Sequence, residues 1–256
     1  MGAGAALLGA DKDLHDELAA AGWSPTLERI AAADPGAGEV TRIFDLLRAH
    51  ARAVRAAVDR GAFPLVLAGG CISASATVAG AAAGRQAGVV WLDAHADLDT
   101  PADNLSGSMD VQALAILTGG AWQAAAATIP GFTPLVEHDV CLVGVRDLAG
   151  YQRERLAASE VRTADAGAVP ELAPCVYLHV DLDVLDTSVG TANRYAAPGG
   201  PSLDEVLATI DATFDAATVI AAALTAYEPA YDRDGAIRAA ALQIARRIAT
   251  RALEQR

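Results

Sequence analysis

Only three cysteines occur in 256 residues, and Cys71, Cys141 and Cys175 lie far apart in apolar or strand-like surroundings. That excludes a disulfide framework and a Cys-x-x-Cys metal site, and the three read as reduced core cysteines. Long apolar runs are missing too. No uninterrupted stretch approaches the ~18 residues of a membrane span, and no basic segment precedes an apolar run at the N-terminus. Neither span nor signal peptide is expected, and the cytoplasm is the default location. Cations are scarce, 19 against 32 acidic residues for a net charge of -13. Such a balance opposes phosphate backbones and anionic membranes, so nucleic acid and membrane are unsuited as partners.

What is present is a hydrophobic content of 53%, enough for a substantial core, in a length that suits one α/β domain over residues 1–256. Strand-like and helical segments alternate along the chain. The strand-like ones are Ala5 to Gly9 (weak), Phe63 to Ala68, Gly88 to Ala94, Asp139 to Val145, Val161 to Thr163, Cys175 to Val184 and Thr218 to Ala226. Helical spacing covers Asp11 to Ala21, Glu39 to Arg60, Ser73 to Gly84, Met109 to Leu117, Ala149 to Ala158, a capped segment from Ser202 to about Ala216, and a long C-terminal stretch after Gly235. This alternation predicts a three-layer α/β/α sandwich with a mostly parallel sheet.

The chemistry concentrates at two strand ends. Val89-Val90-Trp91-Leu92 runs into Asp93-Ala94-His95-Ala96-Asp97, and Val176 to Val180 runs into Asp181-Leu182-Asp183. In extended chain, residues two apart share a face, which points each set at the place where α/β sheets hold ligands. Two buried carboxylates side by side repel, so an Asp-x-Asp in a core strand asks for a cation. Four Asp and one His suit a pair of Mn²⁺ ions bridged by shared carboxylates. Turn residues and a hydrogen-bonded His remain the plain alternative for the first motif.

On these motifs, and on Gly69-Gly70-Cys71-Ile72-Ser73 in the place of a Gly-Gly-Asp-His-Ser, the sequence from about residue 40 onward resembles the arginase, or ureohydrolase, family. The nearest branch includes the Nω-hydroxy-arginine amidinohydrolases, in which the His of the first motif is typically Cys. The resemblance implies hydrolysis of a guanidinium carbon by metal-activated hydroxide, releasing urea or hydroxyurea from an arginine-like guanidino compound. It implies Asp93 and Asp181 as bridging ligands, His95 and Asp183 at the second ion, Asp97 at the first, and a trimeric or hexameric homo-oligomer.

Three departures follow from the same comparison. Ile72 has no donor atom, which leaves an all-oxygen first site, one tight and one weak or empty Mn²⁺ position, and a weaker site that Ile72→His is expected to strengthen. Cys71 belongs to the neighbouring position and is left out of the ligand set. Asp110 falls where arginases carry a proton-shuttling His; it is either a general acid or base or simply the start of a helix. Asp99 and Ser106 fall on substrate-binding positions, with a turn carboxylate as the alternative for Asp99. The guanidinium-binding Glu falls on Ala226, and Glu228, two residues on, serves only if the strand end bends. His179 shares a face with Asp181 but lies deeper in the strand, so it reads as a core histidine or as one that supports a ligand from behind, with direct ligation as the alternative. The expectation is a Mn-dependent amidinohydrolase of small guanidino compounds. A one-metal amide hydrolase or a non-catalytic binding module of the same fold is the alternative.

Overall fold

Gly88 to Leu92 is fully buried, which is why it reads as a continuous apolar run and not as an alternating one: both faces of its strand are covered. The structure is a computed structural model describing residues 12–30, 36–82, 84–103 and 107–255. In chain order, helices α1 (Lys12–Ala20) and α2 (Glu39–Asp59) precede strand β1 (Leu65–Leu67). A 3-10 turn, Cys71–Ser73, leads into α3 (Ala74–Ala82), and β2 (Gly88–Leu92) follows. A second 3-10 turn, Asp110–Gln112, precedes α4 (Ala113–Leu117), and α5 (Gln123–Ala126) leads on to β3 (Val140–Val143). The remaining elements are α6 (Gly150–Ala158), β4 (Arg162–Ala164), β5 (Cys175–Asp181), a 3-10 turn Leu182–Val184, α7 (Leu203–Ala216), β6 (Thr218–Thr225) and α8 (Ala236–Glu254).

Among the described residues, the six strands form one sheet in the order β1-β6-β5-β2-β3-β4, with every pair parallel. Alternate side chains feed opposite cores, as the pleat requires. Val90, Leu92, Leu178 and Val180 pack with Val206 and Ile210 of α7 and Ile237, Ile244 and Ile248 of α8. Val89, Trp91 and Tyr177 pack on the other side with Ala74 and Val78 of α3 and Leu114 and Leu117 of α4. The expected three layers are therefore present. Where α2 crosses α3 the backbones come so close that a Cβ on Gly80 would lie 2.5 Å from the Ala51 carbonyl oxygen. His50 of α2 is buried at this crossing, with Thr77 Oγ1 3.3 Å from its Nε2.

Topology places the site. The chain leaving β2 runs to β3 on one side, while the chain leaving β5 runs to β6 on the other. A crevice opens between the carboxyl ends of strands whose connections diverge in this way. Leu92 is in register with Val180, so Asp93 and Asp181 leave the sheet side by side.

Several elements differ from the sequence reading for local reasons. The strand expected through Val184 stops at Asp181, because the Asp181 side chain accepts from the Asp183 N–H and closes a turn. The helix expected from Met109 begins as a 3-10 turn. The helix expected from Ser73 likewise begins as a 3-10 turn. Helix α5 was not anticipated: Trp122 before it adopts a left-handed φ of 51°, and nothing in an alanine run marks that start. The expected strand from Ala5 to Gly9 lies outside the described residues.

Candidate metal centre

The acidic residues converge through turns and not through an extended pleat. After β2, the Asp93 Oδ1 accepts from the His95 N–H at 2.7 Å, and Asp97 takes a left-handed φ of 49°. That conformation turns the Asp97 carbonyl back to accept from Leu114 and Ala115 N–H at the start of α4. After β5, Asp181 Oδ1 receives Asp183 N–H at 2.9 Å. Asp183 in turn is fixed from two sides. Asn193 Nδ2 donates to its Oδ2 at 3.0 Å and to the Ala226 carbonyl at 3.0 Å, and an Arg146 nitrogen donates to its carbonyl oxygen at 3.0 Å.

His95 Nδ1 lies 3.2 Å from Asp93 Oδ1 and 3.5 Å from Asp183 Oδ2, so these three form one ligand group with donor atoms within 4.8 Å. Asp93, Asp97, Asp181 and Asp183 are only 1 to 8% exposed. Burial raises the pKa of Asp93, Asp97 and Asp181, and the charges of neighbouring Asp residues raise it further. Asp183 goes the other way. Burial raises it, but hydrogen bonds from His95 and Asn193 outweigh that and lower it. For His95 burial lowers the pKa, and the Asp183 and Asp93 contacts override it to raise the imidazole. Asp97 has no side-chain hydrogen bond among the described residues. Four crowded carboxylates with one imidazole between them are under-compensated, and such a donor set suits divalent cations.

The other expected residues are distributed as follows. Asp110 Oδ1 accepts from Ile72 N–H at 2.9 Å, so its carboxylate ties one 3-10 turn to the other. Gly70 sits against it: a Cβ there would lie 2.3 Å from Asp110 Oδ2. Asp99 is buried and accepts from Tyr151 OH at 2.9 Å and Gln152 Nε2 at 3.0 Å, tethering its loop to α6. Ser106 lies outside the described residues. The strand end does bend at Ala226, with φ 61°, and Glu228 stands partly exposed with its carboxylate 3.9 Å from Arg194. His179 is fully buried, stacked on Trp91 with ring centres 3.7 Å apart.

Ile72 packs against the apolar cluster containing Phe44, Met109 and Ile116, whereas Cys71, set aside in the sequence reading, places its Sγ 2.9 Å from Asp181 Oδ2. The 3-10 turn decides which neighbour faces the acids. A histidine at position 72 would start on that apolar side.

A sequence profile of the arginase family matches residues 6–250. The chain belongs to the arginase family. Among curated members, the arginase of Brucella melitensis biotype 1 is 30% identical over 199 residues, covering 68% of this chain and 63% of that protein. The arginase of Bacillus caldovelox is 30% identical over 200 residues, covering 71% and 67%. The match thus spans under two thirds of the Brucella relative. The fold likeness is broader: the crystal structure of arginase from Bacillus subtilis superposes with a TM-score of 0.83 at 22% identity, covering 96% of this chain and 91% of that one. Membership and fold agree with the two Asp motifs. Cys71, which the sequence reading left out of the ligand set, and Asn193 and Arg146, which it did not single out, also lie at the Asp cluster.

Proposed function

We propose that the chain is a metal-dependent hydrolase of the ureohydrolase type that cleaves a C–N bond of a small guanidino compound. The observation that carries the reading is the convergence of Asp93, His95 and Asp183 at the crevice between β2 and β5, with Asp181 and Asp97 beside them. Asp93, His95, Asp97, Asp181 and Asp183 would hold Mn²⁺. When bound, such ions lower the pKa of water and polarise the carbon under attack.

The chain's own residues position the rest. Asn193 and Arg146 hold Asp183, and the Trp91 Nε1–H donates to Asp93 Oδ2 at 3.0 Å, which fixes that carboxylate. At the mouth, Asp147 lies 3.7 Å from His95 Nε2, and Tyr195 stands edge-on to the His95 ring at 6.4 Å. The guanidinium of Arg194 lies 5.3 Å from the centre of that tyrosine ring, close to Glu228. A rim that already seats one guanidinium between an aromatic face and a carboxylate supports Glu228 as the group that receives a guanidino substrate. Asp110 is assigned to anchoring the Cys71–Ser73 turn, because its carboxylate is spent on that backbone.

The test is urea release from a panel of guanidino and hydroxyguanidino compounds, run beside elemental metal analysis. Metal with turnover is expected. Absence of both metal and turnover would favour the non-catalytic reading.

A further inference from the structure

We infer that the open cleft between the edge strand β4 and helix α7 is a binding site for a small aliphatic carboxylate, received by the guanidinium of Arg162. The site stands apart from the metal-dependent reading above and uses no residue of the Asp cluster.

Arg162 opens β4 opposite Cys141, and register partners on neighbouring strands share a face. Its side chain therefore leaves the sheet on the side where Cys141 and Ala164 meet the core beneath α7. There its Nε and Nη2 are closed off from solvent without a hydrogen-bond partner, and no described residue pairs with the guanidinium. That is out of pattern for this chain. Acidic residues outnumber basic ones 32 to 19, and Arg155, Arg247 and Arg251 each hold a carboxylate, of Asp103, Asp211 and Asp215. The neighbouring Cys141 offers no counter-charge, because burial pushes its thiol up to about 11. An arginine cannot shed its charge, and donors left dry and unpaired are costly, so the group calls for an anion from outside the chain.

The cleft is the independent observation. Its volume is about 780 Å³, within the roughly 300–1,000 Å³ of small-molecule pockets, and Arg162 lines it with Ala164, Val169, Pro170, Ala212 and Asp215. One wall is pinned in place: Gly167 takes a left-handed φ of 83°, and its N–H donates to Thr209 Oγ1 of α7 at 2.8 Å. The carboxylate on the lining, Asp215, is engaged by Arg251, which leaves Arg162 as the uncommitted charge of the cleft. Its Nε and Nη2 form one edge of the planar guanidinium, the kind of edge that a carboxylate grips with both oxygens. The alanine, valine and proline walls suit a short aliphatic body behind that carboxylate.

The experiment titrates isovalerate into the full chain by isothermal calorimetry, with acetate and the neutral isovaleramide as comparison probes. Saturable binding of isovalerate at one site per chain is expected, with acetate weaker and isovaleramide unbound. Arg162→Met keeps the aliphatic stem and should weaken isovalerate at least about tenfold, the loss of a charge-assisted pair, while metal content stays that of the parent. Ala212→Leu fills the cleft and leaves the guanidinium in place. It should weaken isovalerate as well, and it decides the matter if Arg162→Met fails to fold. Isovalerate bound equally by the parent and both variants would put the carboxylate elsewhere and overturn the inference, and so would no binding by the parent. An oligomer that dissociates on size exclusion only when Arg162 is replaced, with no isovalerate bound by the parent, would assign the cleft to a second copy of this chain and likewise overturn it.

Discussion

Asp97→Asn separates the cost of crowding from the benefit of ligation. The substitution is nearly isosteric, and Asn tolerates the left-handed φ of 49° that Asp97 adopts, so the carbonyl that receives Leu114 and Ala115 N–H stays in place. In chelator-treated protein the variant removes a buried carboxyl whose pKa burial and the charges of Asp93 and Asp110 push well up. Folding such a group at neutral pH is opposed by its desolvation and by the proton it must take up, and a conservative gain of about 2 kcal/mol is expected from replacing it. For a chain of this size that is about 4–8 °C in Tm. With metal at a hundred times its Kd the parent gains about 2.7 kcal/mol, whereas a variant bound a hundredfold more weakly gains only about 0.4 kcal/mol. Differential scanning calorimetry with and without metal should therefore show Asp97→Asn melting higher when stripped and the advantage disappearing when loaded. A stripped variant that melts lower than the parent, or an undiminished metal shift, would refute the reasoning.

His50 gives the pH test. Burial pushes its pKa from about 6.5 down to about 4, so between those values the unfolded chain binds a proton that the folded one refuses, and stability falls as pH falls through that window. A difference of two to three pH units amounts to about 3 kcal/mol, and urea melts of His50→Leu against the parent should diverge in slope there; parallel curves would remove His50 as the cause. Gly70→Ala forces the Asp110 carboxylate away from its Ile72 N–H and should cost about 2–3 kcal/mol in the same assay, with a loss below about 0.5 kcal/mol showing that the turn yields. Arg146→Met strands the carbonyls of Gly144, Asp183 and Ala197 and should cost about 3 kcal/mol together with weaker metal retention by dialysis, and Arg146→Lys should not rescue it because an ammonium lacks the planar fork. Asp110→Asn keeps an acceptor for Ile72 N–H, so turnover within a few-fold of the parent is expected; a loss of about 10²- to 10⁴-fold with metal retained would make Asp110 a proton carrier.

The layering and the position of the site were legible because they depend on patterns that survive in one dimension. Buried parallel strands print continuous apolar runs such as Gly88 to Leu92, and Asp residues at their ends mark where the apolar rule breaks. What the sequence hid are facts about turns. Whether Cys71 or Ile72 faces the carboxylates depends on a 3-10 turn of three residues whose orientation is set by Gly70 and Asp110, 40 residues apart in sequence. Asn193 and Arg146 each act through several hydrogen bonds, most of them to residues far away in sequence, and a lone Asn or Arg in a loop carries no periodicity to read. Glu228 is an intermediate case: sequence placed it two residues too far along, and the left-handed Ala226 supplies the bend on which its use depends.

The seating of Ile72 in an apolar cluster also bears on which changes this turn can absorb. A histidine at position 72 would lose packing against the Phe44 and Ile116 cluster before any ligand was gained, while Cys71 still filled the inward place. Turning a donor from position 72 toward the carboxylates therefore takes coordinated changes at 71 and 72, and at Asp110, which accepts from the Ile72 N–H.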